Sequence, residues 1–477
     1  MAQVSGDIGG IVREAICRTA GLEDDEVEDD SSLGDLGMNA IMARELIQEL
    51  EQALEGVKLD SHQILQCDDI AGLVQYIHSK VPVVAAAKGS CSDVQSKSLG
   101  NSRLSKEQIQ EAFQLSKGAT DRFIEQNHME NYVSRVMPRT TELCVAYFIE
   151  AFEQLGCDIK SAQAGQVLAP VQHLPKHDKF IAYWYHLMSE KIRLINISGS
   201  EMTRTDLACQ PKTASRLLED LLQDEPAHAD ELKLTQLTGE ALADCLSGKK
   251  NGIQVIFGTP QGRQLVSDLY ASAPINRAWI EQLGFFLEQL TKTLPKDGQP
   301  LKILEIGAGT GGTTTTVVPI LARLGVPVTY TMTDISPSLV TAARKQFKSH
   351  SFMDFKVVDL EKSPEQDLLN SQDVILSTAC VHATRSLPTS LGNARAMLND
   401  GGILVLLEQT EKIPWVDSVF GLLEGWWLFE DGREHALSPA TYWKKIMKEA
   451  GFGDVDWTEG KHQEASLQKL IIAYNQV

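Results

Sequence analysis

The sequence predicts an α/β protein in three parts: a small helical bundle, a mostly helical subdomain and a doubly wound seven-stranded sheet. Two observations lead to this prediction. First, the 477 residues exceed what one ordinary hydrophobic core holds, so two or three domains are expected. Second, apolar residues recur at helical spacing through the first half of the chain, whereas strand-like and helical segments alternate from about residue 286 onward.

Residues 1–80 are predicted to form a four-helix bundle. Its predicted elements are, in order, a helix through Ile8 to Ile16, a long acidic loop at 22–35, a helix with a buried stripe through Ala43, Ile47, Leu50 and Leu54, a turn at 61–65, and a helix from Ile70 to His78. This region holds 17 Asp and Glu against 5 Lys and Arg, a net charge of −12. Docking onto basic patches of partner enzymes and simple solubility explain this charge about equally well.

The rest of the chain divides into a linker and two larger parts. Residues 81–105 lack an apolar period and are predicted to be a flexible linker. Residues 106–285 are predicted to be a mostly helical lid, with helical spacing at Tyr147–Leu155 and Phe180–Ile195. Residues 286–477 hold seven strand candidates: Lys302–Ile306, Val326–Thr333, Phe355–Val358, Asp373–Ser377, Ile403–Glu408, Asp454–Trp457 and Leu470–Tyr474.

Composition argues against several classes of protein. The net charge of −20 disfavours nucleic-acid binding, and no apolar run has the length of a membrane span. The N-terminus has no signal core, so a cytoplasmic location is expected. The eight cysteines are scattered without zinc spacing, so we expect reduced thiols and no metal.

A glycine-rich loop, Leu304-Glu-Ile-Gly-Ala-Gly-Thr-Gly-Gly312, lies between a predicted strand and a predicted helix. Glycines let a backbone turn tightly and approach a ligand closely. The loop formally fits G-x-G-x-x-G at Gly307, Gly309 and Gly312, a pattern that could also serve a dinucleotide.

Three acids favour S-adenosylmethionine as the ligand of this loop. Glu305 precedes the loop, where it can hold the cationic amino-acid end of the cofactor through water or the backbone. Asp334 ends the second strand of the sheet and can accept both ribose hydroxyls, and Asp359 follows the third strand and can pair with the adenine amino group. Alternatively, Asp334 and Asp359 only cap the helices that follow them.

His382 and Glu408 form the candidate catalytic pair. His382 follows the fourth predicted strand, and Glu408 ends the fifth. Neighbouring strand ends in such a sheet meet beside the ligand, so both side chains should emerge near the methyl group of the cofactor. A histidine oriented by a carboxylate can take a proton from an activated carbon. Alternatively, His382 is a core histidine bonded to a backbone carbonyl.

Three aromatic residues are candidates for substrate binding. Trp426 and Trp427 could wall a channel that excludes water, or could be ordinary core. Tyr270 precedes the sheet and could hydrogen-bond the substrate, or could be a packing tyrosine.

Asn39 and Ala40 lie at the start of the predicted second helix, in Leu33-Gly-Asp-Leu-Gly-Met-Asn-Ala-Ile41. The segment resembles the prosthetic-group site of acyl carrier proteins, where Asp-Ser precedes Leu or Ile and the serine hydroxyl takes the phosphopantetheine arm. Alanine has no hydroxyl, so the resemblance implies a degenerate (pseudo) carrier that holds no phosphopantetheine. Because both residues of the pair are changed, natural degeneration is favoured over an engineered knockout.

Longer segments carry a second resemblance, over residues 106–477. They are Tyr330-Thr-Met-Thr-Asp-Ile-Ser-Pro-Ser-Leu-Val340, Cys380-Val-His-Ala-Thr384, Phe420-Gly-Leu-Leu-Glu-Gly-Trp-Trp427, Leu174-Pro-Lys-His177 and Ser272-Ala-Pro274. They resemble the C-methyltransferase domain of fungal non-reducing polyketide synthases, in which a carrier also precedes the methyltransferase. The implied fold is a Rossmann-like seven-stranded S-adenosylmethionine-dependent methyltransferase core with a helical lid.

The resemblance also implies a reaction and site residues. His382 would be the base and Glu408 its orienting carboxylate, and Gly307, Gly309, Gly311 and Asp334 would bind the cofactor. The substrate would be a β-ketoacyl thioester on a separate, functional carrier domain, with other synthase domains as partners. An O-methyltransferase acting on a free phenol and a non-catalytic interaction module remain as alternatives.

Overall fold

A computed structural model describes residues 8–20, 27, 31, 33, 40–54, 57–59, 63–64, 67, 69–80, 103–292, 294–296 and 298–475 of the chain. Asn39, most of the predicted acidic loop and nearly all of the predicted linker lie outside these residues, as do the side chains of Ala40 and Ala43. The predictions made for them stay predictions.

A seven-stranded sheet forms the centre of the C-terminal part. Its strands are β3 (Leu301–Ile306), β4 (Val328–Asp334), β5 (Met353–Val357), β6 (Gln372–Thr378), β7 (Leu398–Gln409), β8 (Val455–Trp457) and β9 (Gln468–Tyr474). They lie in the order β5-β4-β3-β6-β7-β9-β8, and β9 is antiparallel to both of its neighbours while the other pairs are parallel. All seven predicted strands are confirmed, with shifts of a few residues at their ends.

Helices cover both faces of the sheet, which explains why its central strands are apolar almost throughout. The helices within this part are Gly312–Leu324, Pro337–Gln346, Leu387–Met397, Pro414–Phe420 and Ala440–Glu449. Pro337 occupies the first turn of its helix, and the side chain of Ser336 accepts a hydrogen bond from the backbone N–H of Leu339. Because of this cap, the helix begins three residues after β4 ends. The short connection holds the carboxyl end of β4 in position.

The subdomain before the sheet is mostly helical, as predicted. Its α-helices are Lys106–Lys117, Thr120–Gln126, Met137–Gln154, Asp178–His186, Ala214–Asp224, Ala229–Glu240, Leu242–Leu246, Gly252–Phe257, Pro260–Ala271 and Pro274–Lys292. Two π-helical segments, Tyr132–Val136 and Leu187–Lys191, and a hairpin of β1 (Ile195–Ser198) and β2 (Glu201–Arg204) complete it. The helix predicted through Ile195 ends earlier, because Arg193 has a positive φ of 62° and Ile195 begins β1.

The predicted boundary at 285/286 falls inside a helix. Pro274–Lys292 is continuous, and it packs on Lys106–Lys117 as well as on Gly312–Leu324 beside the sheet. The helix therefore joins the lid to the core, and the division of the chain into these units stays a prediction.

The described N-terminal helices are Ile8–Ala20, Ala40–Ala53 and Ile70–Lys80, and residues 63–64 are also helical. Their facing side chains form one apolar core. The members with the smallest exposure, at 0–1%, are Val12, Ala15, Ile16, Val27, Leu46, Leu50, Leu54, Ile64, Ile70, Leu73 and Ile77. This burial follows the helical spacing from which the bundle was predicted.

The bundle packs against the lid and against one segment of the core. The side-chain amide of Gln254, in the helix Gly252–Phe257, donates to the carbonyl of Arg18 at 2.7 Å. The helix Ala40–Ala53 contacts the short 3-10 segment Glu424–Trp427, where the Gln48 amide faces the Glu424 carboxylate. The helix that begins at Ala40 therefore lies against the segment that carries Trp426.

Candidate functional site

The candidate site lies where the parallel strands of the sheet end. Glu305 is in β3, Asp334 ends β4, and Glu408 lies one residue before the end of β7. His382 follows β6 in a single 3-10 turn, Val381–Ala383. Because β4, β3, β6 and β7 are adjacent and parallel, their carboxyl ends bring these side chains to one edge.

The glycine loop turns through left-handed backbone at three residues. Gly307, Gly309 and Gly311 have φ of 63°, 57° and 83°. A Cβ at Gly307 would collide with Cys380, whose own Cβ would be 2.7 Å away, whereas a Cβ at Gly309 would have nothing within 4 Å. The backbone is therefore closely packed at Gly307 and open at Gly309, as a loop that cradles a ligand requires.

Glu305 is buried beneath this loop. Its Oε2 accepts hydrogen bonds from the hydroxyls of Thr314 at 2.5 Å and Tyr330 at 2.8 Å. Burial raises the pKa of the carboxyl to about 7, and the two hydroxyls offset only part of that increase. The direct partners of this oxygen are thus hydroxyl groups of the protein, and the predicted role of Glu305 toward a cofactor stays a prediction.

Asp334 and Asp359 are both buried and both accept hydrogen bonds from the backbone. Asp334 accepts from the N–H of Gly309 and from that of Ser336, each at 2.9 Å. Asp359 accepts from the N–H of Glu361 at 3.0 Å and has the Lys362 ammonium 3.6 Å from its other oxygen. Asp334 therefore ties the glycine loop to the end of β4, and the sugar and base contacts predicted for the two acids stay predictions.

His382 and Glu408 are in direct contact. The Nδ1 of His382 lies 2.6 Å from Oε2 of Glu408, and the backbone N–H of His382 donates to Oε1 at 3.4 Å. Glu408 is completely buried and His382 is 6% exposed. Both carboxylate oxygens therefore hold the same residue, which restricts the orientation of the imidazole.

Arg433 is a site residue that the sequence did not indicate. Its buried guanidinium donates to the carbonyls of His382 at 2.9 Å and Thr384 at 2.6 Å. It also donates to Asp431 at 2.8 Å, and Asp431 accepts from the N–H of Leu387. Asp431 orients the Arg433 guanidinium, and the guanidinium holds the backbone around His382. The position of the imidazole therefore does not depend on Glu408 alone. A lone arginine in a loop offers no periodicity or motif that could have revealed this.

His382 borders a small, partly open cavity that is walled mainly by apolar side chains. Tyr270 and Trp426 line it too, together with Leu269, Ile275, Trp415, Val416, Phe420 and Leu437. Burial raises the pKa of Tyr270 to about 12, so its hydroxyl stays a donor at neutral pH. Trp427 is outside this lining, is buried and donates its indole N–H to the carbonyl of Gly421, and its predicted role toward a substrate stays a prediction.

Two kinds of feature are absent from the described part of the chain. No helix there is long and apolar enough to cross a membrane. No group of three or more His, Cys, Asp or Glu side chains there could hold a metal ion.

The burial of Glu305 predicts a pH-dependent stability that Glu305→Gln removes. The folded pKa of about 7 is above the ordinary glutamate pKa of 4.5, so the folded state binds more protons between these values. The free energy of unfolding should therefore fall as pH rises through this window, by roughly 3 kcal/mol in all. Urea unfolding at several pH values between about 5 and about 8 measures it. If the variant and the parent keep parallel pH profiles, this prediction is wrong.

The order of the strands, the glycine loop and the acids beside it define an S-adenosylmethionine-dependent methyltransferase. Two family models agree with this, and a third matches the N-terminal bundle. A model described as "Methyltransferase domain" matches residues 304–404, one described as "Methyltransferase, Helix-turn-helix domain" matches residues 114–202, and one described as "Phosphopantetheine attachment site" matches residues 11–77.

Individual relatives narrow the class. The chain is 57% identical to the solved CMeT domain of the citrinin polyketide synthase, with a TM-score of 0.77, over 79% of this chain and 100% of that domain. It is 26% identical to the CurJ carbon methyltransferase, with a TM-score of 0.69, over 78% and 99% of the two chains. The chain therefore belongs to the family of C-methyltransferase domains of polyketide synthases, as predicted from the sequence.

Full-length relatives place the chain in a larger context. It is 50% identical to the citrinin polyketide synthase of Monascus ruber and 46% identical to the clavatol synthase claF of Penicillium crustosum, in each case over 98% of this chain. In both comparisons the chain spans 19% of the length of the relative.

Proposed function

We propose that this chain transfers a methyl group from S-adenosylmethionine to the α-carbon of a β-ketoacyl thioester, which a separate, functional carrier domain delivers. The observation that carries the proposal is the buried contact of 2.6 Å between His382 and Glu408, at the border of an apolar cavity beside the glycine loop. A hydrogen of the α-carbon is acidic because its removal leaves an enolate, so one well-placed base is sufficient for activation.

The residues fit the cofactor that this family uses. The open space above Gly309 offers room for a ligand, and Asp334 and Asp359 supply carboxylates at the neighbouring strand ends. The amino-acid end would lie toward Glu305 and the loop, the ribose toward Asp334 and the adenine toward Asp359. When bound, S-adenosylmethionine would supply a methyl group on a sulfonium, and a carbanion can attack that methyl carbon while S-adenosylhomocysteine leaves as the neutral sulfide.

The His-Glu pair would perform the proton transfer. With Nδ1–H donating to Glu408, Nε2 keeps its lone pair and takes the proton from the α-carbon, while the C–H electron pair becomes the enolate. Glu408 stabilises the imidazolium that forms, as the carboxylate of a catalytic triad does. Tyr270 would donate its hydroxyl to the ketone or enolate oxygen, and the apolar walls exclude water.

Product analysis tests the proposal and its alternatives. The chain is incubated with S-adenosylmethionine and a β-ketoacyl thioester mimic, and the new methyl group is located by NMR and by its resistance to ether cleavage. A methyl on carbon supports the proposal, whereas a methyl on oxygen indicates an O-methyltransferase. Absence of transfer together with absence of S-adenosylhomocysteine binding in calorimetry indicates a non-catalytic module.

We further propose that the N-terminal bundle is a scaffold that is never loaded. The contacts of Gln254 with Arg18, and of the helix Ala40–Ala53 with the segment Glu424–Trp427, support a role in bracing the lid. Deleting residues 1–80 should then weaken folding or methylation. Unchanged folding, methylation and carrier binding in the truncated chain would remove this support.

The absence of a serine at position 40 predicts that the chain resists loading. Incubation with a phosphopantetheinyl transferase and coenzyme A should leave the intact mass unchanged, because Ala40 has no hydroxyl to carry the arm. An authentic carrier domain in the same reaction is the control for enzyme activity. A mass gain of one arm on the chain would contradict the account of the bundle.

A further inference from the structure

A second buried carboxylate lies close to the proposed catalytic pair but is not part of it. Asp417, in the helix Pro414–Phe420, is completely buried. Its Oδ2 accepts from the hydroxyl of Tyr183 at 2.7 Å, and its Oδ1 accepts from the indole N–H of Trp426 at 3.2 Å. The Nε2 of His435 lies 2.9 Å from Oδ1, off the direction of a hydrogen bond. We call Tyr183, Asp417, Trp426 and His435 the Asp417 cluster.

The cluster joins segments that are distant along the chain. Tyr183 is on the lid helix Asp178–His186, and Trp426 is on the 3-10 segment Glu424–Trp427. His435 accepts from the N–H of Leu437 at its Nδ1, at 3.0 Å, which holds the ring with Nε2 on the side of Asp417. A buried carboxylate is costly unless donors surround it, so this arrangement strongly favours one position for each of its partners.

Trp426 connects the cluster to the cavity. Its indole ring is nearly perpendicular to the His382 ring, with ring centroids 5.5 Å apart and an interplanar angle of 73°. It also stacks on Phe420, with centroids 5.9 Å apart and an angle of 27°. The Trp426 indole therefore lines the same cavity as His382, and the indole N–H donates to Asp417.

We propose that Asp417 is a positioning residue of the substrate pocket: it fixes Trp426, and Trp426 fixes the ring of His382 and closes the cavity around the acyl thioester. The substrate class named here rests on the proposed function. Asp417 itself does not line the cavity, so its effect on the reaction passes through Trp426, which does.

The first test compares Asp417→Asn, Trp426→Phe and the double variant. Each single variant should lower kcat/KM for the β-ketoacyl thioester mimic by roughly tenfold, since each removes one directional contact. The double variant should lose about as much as the worse single variant rather than the product of both, because the two residues act through one hydrogen bond. Affinity for S-adenosylhomocysteine should stay at the parent value, which also establishes that the variants are folded.

A matched pair of hydroxyl deletions separates positioning from general packing. Tyr183→Phe removes a donor to Asp417, whereas Tyr185→Phe, on the same helix, removes the acceptor of the Val171 N–H at 2.8 Å. Both should lower the melting temperature to a similar extent. Only Tyr183→Phe should lower kcat/KM, and equal activity losses in both would overturn the proposal.

A spectroscopic readout keeps this inference distinct from the proposed function. The imidazole resonances of His382 are observed after nitrogen-15 labelling of histidine, and are assigned by their absence in His382→Asn. They should shift in Asp417→Asn and in Trp426→Phe but not in Tyr185→Phe. Unshifted resonances in both cluster variants would overturn the positioning role. Failure of the parent to methylate the thioester mimic, with shifted resonances, would overturn only the proposed function.

Discussion

Replacing His382 by alanine is expected to lower kcat for methylation of a β-ketoacyl thioester mimic by roughly 10²- to 10⁴-fold, the range that a positioned general base supplies. The structure provides no second imidazole for this task, because among the described residues that line the cavity His382 is the only histidine. The affinity for S-adenosylhomocysteine should change little, since Gly307, Gly309 and Gly311 of the glycine loop are not among the residues that line the cavity with His382. Steady-state kinetics and calorimetry on the same preparation measure both quantities.

Glu408→Gln is the matched control for this experiment. The amide keeps the volume of the carboxylate and one acceptor oxygen for Nδ1–H, but it removes the negative charge that stabilises an imidazolium. Its loss of kcat should therefore be clear but smaller than that of His382→Ala. If His382→Ala kept kcat within about threefold of the parent, the assignment of the base would be wrong.

Gly307→Ala is expected to have the largest effect on stability. The left-handed φ of 63° disfavours a Cβ by about 1–2 kcal/mol, and contact with Cys380 adds an overpacking penalty of about 1–3 kcal/mol. Because the Cβ of Cys380 is itself part of the contact, rotation of the thiol cannot relieve it. Urea unfolding should show the free energy of unfolding reduced by about 2–5 kcal/mol.

Gly309→Ala is the control, because it has a similar φ of 57° but nothing within 4 Å of the added carbon. It should lose only about 1–2 kcal/mol of stability. Its added methyl group would occupy the space assigned to the cofactor, so the affinity for S-adenosylhomocysteine should fall by roughly fivefold to a hundredfold. Unchanged affinity in Gly309→Ala would place the cofactor elsewhere.

Most of the sheet could be predicted from the sequence, because apolar strands buried on both faces alternate with helices at regular spacing. The start of β7 could not be predicted from the sequence. Asn399-Asp-Gly-Gly402 is typical of a turn, yet β7 begins at Leu398, which pairs with Gln372 across an irregular register. The β1–β2 hairpin was missed for a related reason. Its strands are four residues long, and much of their surface is exposed, so they show little hydrophobic pattern.

The site also contains residues that the sequence could predict and residues that it could not. Residues at strand ends, such as Asp334, His382 and Glu408, could be predicted, because the topology of a doubly wound sheet places strand ends together. Arg433 and Asp417 could not, because their roles depend on contacts between segments that are distant in sequence. Arg433 holds the backbone of His382 from 51 residues away, and Asp417 holds Tyr183 from 234 residues away. Pairings of this kind follow from the folded packing and leave no local pattern.

The placement of β9 has a consequence for biosynthesis. This strand is the last in sequence, yet it is inserted between β7 and β8, and among the described strands β8 has no other partner. A nascent chain that has not yet emerged through Tyr474 must therefore present the open edge of β7 and an unattached β8 to the cellular milieu. Completion of the sheet is then a single event that waits for the segment up to Tyr474, and chaperones that shield exposed strand edges would act on this part of the chain until that moment.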